Sequence, residues 1–136
     1  MNWSWLFWWR PKVDPIVLFR QDVQRLQKMF FDVAAVSGKP RGLRWKECQW
    51  NDLIEWVREK SNGRLHALVG VTISFEAIEG GDMEGVEAVG NLRNATAVFF
   101  FDGEWRTAGR TVFNLNPDEA VIHFKDGYER VVERKS

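Results

Sequence analysis

Between Asp14 and Gly38 apolar residues recur at Ile16, Phe19, Val23, Leu26, Phe30 and Val33, with Arg20, Gln24, Arg25 and Lys28 among the polar positions between them. Steps of three and four place them on one stripe of an α-helix. Asp14-Pro15 predicts the start: an Asp side chain accepts from otherwise free backbone N–H groups, and Pro at the first helical position lacks only an N–H that would have no partner. Gly38 predicts the stop, with Pro40 beyond it. Some 23 residues at 1.5 Å each make a rod of roughly 34 Å, which must lie across something to cover its apolar face.

Beyond residue 43 the period shortens. Residues 44–50 and 53–60 are predicted as two short strands. Ser61-Asn62-Gly63-Arg64 carries the Asn-Gly pair of a tight type I′ hairpin. In residues 65–77, Leu65, Ala67, Val69, Val71, Ile73 and Phe75 share one face, and His66, Leu68, Gly70, Thr72, Ser74 and Glu76 the other. Such a long strand predicts a bent or strongly twisted sheet, with Gly70 as the candidate kink. A second hairpin is read as residues 92–101, a turn at Asp102-Gly103, and residues 104–115. Its first strand is apolar on both faces at residues 95–101, which predicts covers on two sides or a homodimer through the sheet. Asn116-Pro117-Asp118-Glu119 opens a short second helix with Ala120, Val121 and Phe124 on its apolar side, and residues 128–132 add an extended piece. The expected fold is therefore α+β: one long N-terminal helix on a curved antiparallel sheet of 4–5 strands, and a short C-terminal helix. Residues 13–136 form a single domain behind a leader of residues 1–12.

The order of these elements across residues 14–115 resembles the cystatin-like and NTF2-like α+β rolls. The run from Thr107-Ala108-Gly109-Arg110 to Asn116-Pro117 is similar to the end of an uncharacterised bacterial domain. The roll resemblance implies a space between helix and sheet in which small ligands bind or react, and it implies no particular activity.

Charge sharpens this picture. The 136 residues carry 19 basic and 19 acidic groups. Residues 1–44 hold eight basic against three acidic groups, a net of +5, so the remainder stands at −5. A balanced chain gives no strong nucleic-acid signal. Its aromatic content excludes a disordered chain, and the single cysteine, Cys48, excludes a disulfide scaffold. Cys48 also points to a reducing, cytoplasmic compartment, as a small buried hydrophobe rather than a nucleophile. Four of the eight tryptophans, Trp3, Trp5, Trp8 and Trp9, stand just before Arg10. This run is too short to span a bilayer and lacks the order of a signal peptide. Either it packs on the domain, or it tethers the chain to a protein partner or the periphery of a membrane.

No catalytic or ligand motif is present, so the expectation is a non-enzymatic binding or assembly domain without a cofactor or metal. The alternative is a small-ligand-binding or catalytic pocket between helix and sheet, lined by Thr107, Thr111 and Asn114. Arg93, Arg106 and Arg110 are candidates for an anion-binding face, because guanidinium groups suit carboxylate or phosphate. The same three fit an ordinary solvated surface. Trp45, Trp50, Trp56 and Trp105 read as core aromatics or as a stacking platform. His66 and His123 read as surface histidines. The acidic loop at Glu79, Asp82 and Glu84 reads as solvated, with a hard cation as its functional alternative.

Overall fold

The computed structural model describes residues 13–133. It is an α+β domain of three α-helices and a six-stranded antiparallel sheet.

The expected single N-terminal helix is two segments, α1 (Pro15–Gln21) and α2 (Val23–Ala35). Asp14 caps α1 as predicted, accepting from the Ile16 N–H at 2.9 Å. The break is one residue wide. The Asp22 N–H is shared between the Leu18 and Phe19 carbonyls, and the Asp22 carboxylate is occupied by Arg25. The apolar stripe crosses the break, so Ile16, Phe19, Leu26, Phe30 and Ala34 are all buried. Gly38 follows the helix pair at φ +76°, a left-handed conformation that suits glycine.

The two short strands expected first are one long strand, β1 (Leu43–Glu59). It pairs with β2 (Leu65–Ala77), and the register slips twice, between Trp45 and Glu47 and between Trp50 and Ile54. At the second slip Asn51, Asp52 and Leu53 stand opposite Gly70 alone. The Asn51 side chain accepts from the Leu53 N–H and lies over Gly70, where an added Cβ would come within 2.2 Å of its Oδ1. Gly70 is therefore required by close approach, and the bulge reads in the sequence as a break between strands. The β1–β2 turn is also wider than expected. The Glu59 N–H reaches the Arg64 carbonyl, and within the turn only Gly63 has positive φ, so Asn62-Gly63 is not a type I′ pair.

β3 (Arg93–Phe101) pairs with β2 along its length. The strand expected at residues 104–115 is divided into β4 (Trp105–Arg106) and β5 (Thr111–Phe113), both on the outer edge of β3. Between them the backbone leaves the ladder and Gly109 closes on α2. It sits at φ +76°, where a Cβ would lie 2.9 Å from the Ala34 nitrogen. Helix α3 (Pro117–His123) follows, and β6 (Tyr128–Arg130) returns to pair with residues 57–59 of β1. The spatial order is β4/β5–β3–β2–β1–β6. The count of six strands exceeds the expected 4–5, because the last extended piece joins the sheet and the edge strand is split.

The sheet has two apolar faces. On one, Phe19 from α1 meets Trp56, Phe99 and Trp105 edge-on at centroid distances of 5.3, 5.3 and 5.0 Å. Phe30 and Leu26 continue this core towards Trp45 and Trp50. The indole N–H of Trp105 donates to the Pro15 carbonyl and that of Trp45 to the Lys39 carbonyl, so their burial leaves no donor unmet. On the other face Val57, Leu68 and Val98 are covered by Ala120 and Val121 of α3 and by Tyr128. The two-sided apolar β3 thus finds both of its covers within the chain. No helix among the described residues is long and apolar enough to cross a membrane.

Candidate ligand cleft beside Phe113

The helix layer stops at Ala35, and a turn rather than a helix covers the last part of the sheet. This turn is held by the Trp45 indole on the Lys39 carbonyl (2.8 Å) and by the Ser37 hydroxyl on the Ala34 carbonyl (2.7 Å). On the far side, β5 pairs with residues 95–97 and presents Phe113. Its ring stands 6.2 Å from Phe75 and 6.3 Å from Trp45. A turn cannot fill the space that a helix with large side chains would fill, and two half-enclosed cavities remain, one on each side of Phe113.

The first, of about 360 Å³, lies between Ser37, Lys39, Trp45, Gly109, Thr111 and Phe113. The second, of about 370 Å³, has apolar walls of Pro40, Leu43, Phe75, Met83 and Phe113, with Arg41, Arg93 and Asn114 beside them. Neither is lined by an Asp or Glu side chain. Five of the ten described arginines are matched to carboxylates: Arg20 to Glu133, Arg25 to Asp22, Arg44 to Glu76, Arg106 to Asp102 and Glu104, and Arg130 to Glu55. Among the described residues Arg41 and Arg93 have no side-chain ion pair or hydrogen bond. Asn114 takes φ +67°, and its N–H donates to the Asn94 carbonyl at 2.8 Å, which fixes the rim.

Of the expected pocket residues, Thr111 lines the first cavity and Asn114 the second. Thr107 is turned away, its hydroxyl donating to the Val98 carbonyl at 2.8 Å. The centre of the layer, between helix pair and sheet, is filled by Phe19, Phe30, Trp56, Phe99 and Trp105. The three candidate arginines do not converge. Arg93 pairs with Ile73 at one end of β3, and Arg106 pairs with Phe100 at the other, about 23 Å away at 3.3 Å per residue. Arg110 borders the first cavity, but its guanidinium lies over the Phe124 ring, 5.2 Å from its centroid, and donates to the Tyr128 hydroxyl at 3.1 Å. Trp45, Trp56 and Trp105 are buried and offer no stacking platform. Trp3, Trp5, Trp8, Trp9 and Arg10 lie outside the described residues.

His66 is not on the surface. It is 7% exposed, beneath Tyr128, with Nδ1 donating to the Arg64 carbonyl and Nε2 3.7 Å from a Glu59 carboxylate oxygen. Burial lowers its pKa, against the opposing pull of the Arg64 hydrogen bond and of Glu59. With Arg110, His123 and Asp126, Glu59 and Tyr128 border another open cavity of about 370 Å³ beneath α3. His123 is exposed. Cys48 is half-buried, and burial pushes its thiol up to about 12. A thiol in that state is not a nucleophile near neutral pH. Among the described residues no three His, Cys, Asp or Glu side chains form a metal-ligating group.

Sequence reasoning missed Arg41, Leu43, Phe75 and Met83 as lining. One signal was available. Met83 is the lone large apolar residue in an otherwise acidic, glycine-rich stretch, and it packs on Gly42, where a Cβ would come within 2.9 Å of its Cγ. No protein-family model matches the chain, and comparisons with curated proteins and with solved structures find no match.

Proposed function

We propose that the chain is a non-enzymatic binding domain that takes a small organic ligand beside Phe113. The observation that carries this reading is the apolar cavity of about 370 Å³ between the α2–β1 turn and β5, where the helix layer gives way to a turn. Its size and its few polar groups on an apolar wall suit a small-molecule site. A binding role is favoured over catalysis because the hydroxyls nearby are already committed. Ser37 donates to the Ala34 carbonyl and Thr111 to the Gly109 carbonyl, and neither has a base beside it.

The test is a titration of the full ¹⁵N-labelled chain with 4-phenylbutanol, whose ring and short chain match the walls. Amide shifts are expected at Leu43, Phe75, Met83, Phe113 and Asn114, and Leu43→Trp, which fills the cavity, is expected to abolish them. Shifts that gather instead around Tyr128 beneath α3, or no saturable shifts, contradict the proposal.

A further inference from the structure

We infer that the ligand is an organic anion, an acidic head on an apolar or aromatic body, with Arg41 and Arg93 receiving the head. The inference rests on the binding reading above and adds its chemistry. Two guanidinium groups border a cavity whose other walls are Pro40, Leu43, Phe75, Met83 and Phe113. Among the described residues neither has a carboxylate partner, whereas Arg20, Arg25, Arg44, Arg106 and Arg130 each do, and Arg58, Arg64 and Arg110 are instead held by the Gly63 carbonyl, the Phe100 ring and the Tyr128 hydroxyl. Cations that border an apolar cavity gain most from an anion whose body also covers the apolar wall. A guanidinium bonds a carboxylate through two parallel N–H groups, so the head is fixed in orientation as well as attracted.

The neighbourhood supports the same sign. Lys39 borders the adjoining cavity on the other side of Phe113, so the cations of the α2–β1 turn face this cleft from both sides. The acidic loop contributes Met83 to the wall, not a carboxylate. Glu84, next to Met83, is turned back and accepts from the Gly80 N–H of its own loop. Asp82 is exposed and does not border the cavity. An uncharged ligand would leave both arginines without a partner, and a bare anion would leave the apolar wall at Phe113, Leu43 and Met83 uncovered. An amphipathic anion satisfies both.

The experiment compares 4-phenylbutyrate with 4-phenylbutanol, molecules that share the ring and chain and differ in the charged head. Both are titrated by calorimetry into the wild-type chain, Arg41→Gln, Arg93→Gln and the double variant. Phenylbutyrate is expected to bind at least tenfold more tightly than the alcohol to the wild type. The double variant is expected to lose that preference while binding the alcohol within twofold of wild type, and added salt is expected to weaken only the acid. Among the described residues neither arginine has a side-chain partner, so the thermal midpoint of each variant reports that the fold is kept, and Arg41→Gln, at an exposed position, serves if the double variant unfolds. Equal binding of acid and alcohol overturns the anion assignment and leaves the small-ligand reading standing. Binding of neither overturns the small-ligand reading itself. Displacement of phenylbutyrate by inorganic phosphate at equal concentration also overturns the inference, because the apolar body would then contribute nothing.

Discussion

The two ends of the helix-covered face are built from the same kind of side chain and finish differently. At the α1 end, Phe19 drops into a ring of Trp56, Phe99 and Trp105, each within about 5.3 Å, and is fully buried, while an open cavity of about 340 Å³ lies farther out, beside Leu18, Phe101 and Trp105. At the α2 end, Trp45, Phe75 and Phe113 stand at 5.3 to 6.3 Å from one another; Phe30 and Phe31 of α2 still cover Trp45, but the turn of residues 37–41 follows the helix and leaves Phe113 half-buried. A helix projects side chains downward at every turn of its apolar stripe, whereas a tight turn has its backbone committed to its own hydrogen bonds. The same aromatic core thus runs through both ends, and what differs is its last ring: Phe19 is fully buried, whereas Phe113 is half-buried and borders a cavity on each side. What distinguishes a core from a binding site here is the kind of backbone above it.

This contrast can be broken from either side. The largest effect belongs to the closed end. Phe19→Ala removes a fully buried ring with three aromatic partners, and denaturant unfolding is expected to show a loss of about 3–5 kcal/mol. Phe113→Ala, at a half-buried ring, is expected to lose only about 1 kcal/mol while abolishing ligand binding. If the two alanine variants lose equal stability, the open end is core and the contrast fails. Between these lies Gly109→Ala, where the new Cβ meets the Ala34 backbone at 2.9 Å with φ at +76°. A loss of roughly 2 kcal/mol is expected from strain and from displacement of α2 at the cleft. A neutral result would mean that α2 is not seated against this edge.

The smallest effect comes from the opposite face and depends on pH. The pKa of His66 is lowered first by burial, so between its folded value and 6.5 the unfolded chain binds more protons than the folded one. The contribution of neutral His66 is therefore fully present above pH 6.5. It is lost as pH falls below 6.5, and the decline levels off below the folded value. Stability curves of wild type and His66→Gln are expected to converge as pH drops from 7.5 towards 5.5. Parallel curves would place His66 in water, contrary to its position under Tyr128.

Patterns that depend on one element were legible in the sequence. The stripe from Ile16 to Phe30, the Asp14 cap and the alternation of residues 65–77 each follow from a local period, and all three stand. Features that depend on a second element were not legible. Asn51-Asp52-Leu53 reads as a gap because only Gly70 on the neighbouring strand shows it to be a bulge. The apolar second face of β3 cannot reveal whether its cover is α3 or another molecule, since Val98 has the same side chain in either case. Thr111 and Asn114 were within reach as pocket residues because one lies on the edge strand and the other directly follows it. Arg41 and Met83 come from two loops far apart in sequence, and only the fold brings them to one wall. The absence of carboxylates from that wall is likewise a property of the assembled surface, and composition alone, at 19 basic and 19 acidic groups, conceals it.

The most direct test is a crystal structure of the full chain grown with 4-phenylbutyrate. The expected result is a phenyl ring against Phe75 and Phe113, with both carboxylate oxygens bonded to Arg41 and Arg93. A ligand bound beneath α3 at Arg110 and Tyr128, or a cleft beside Phe113 closed by its own side chains, would contradict the account.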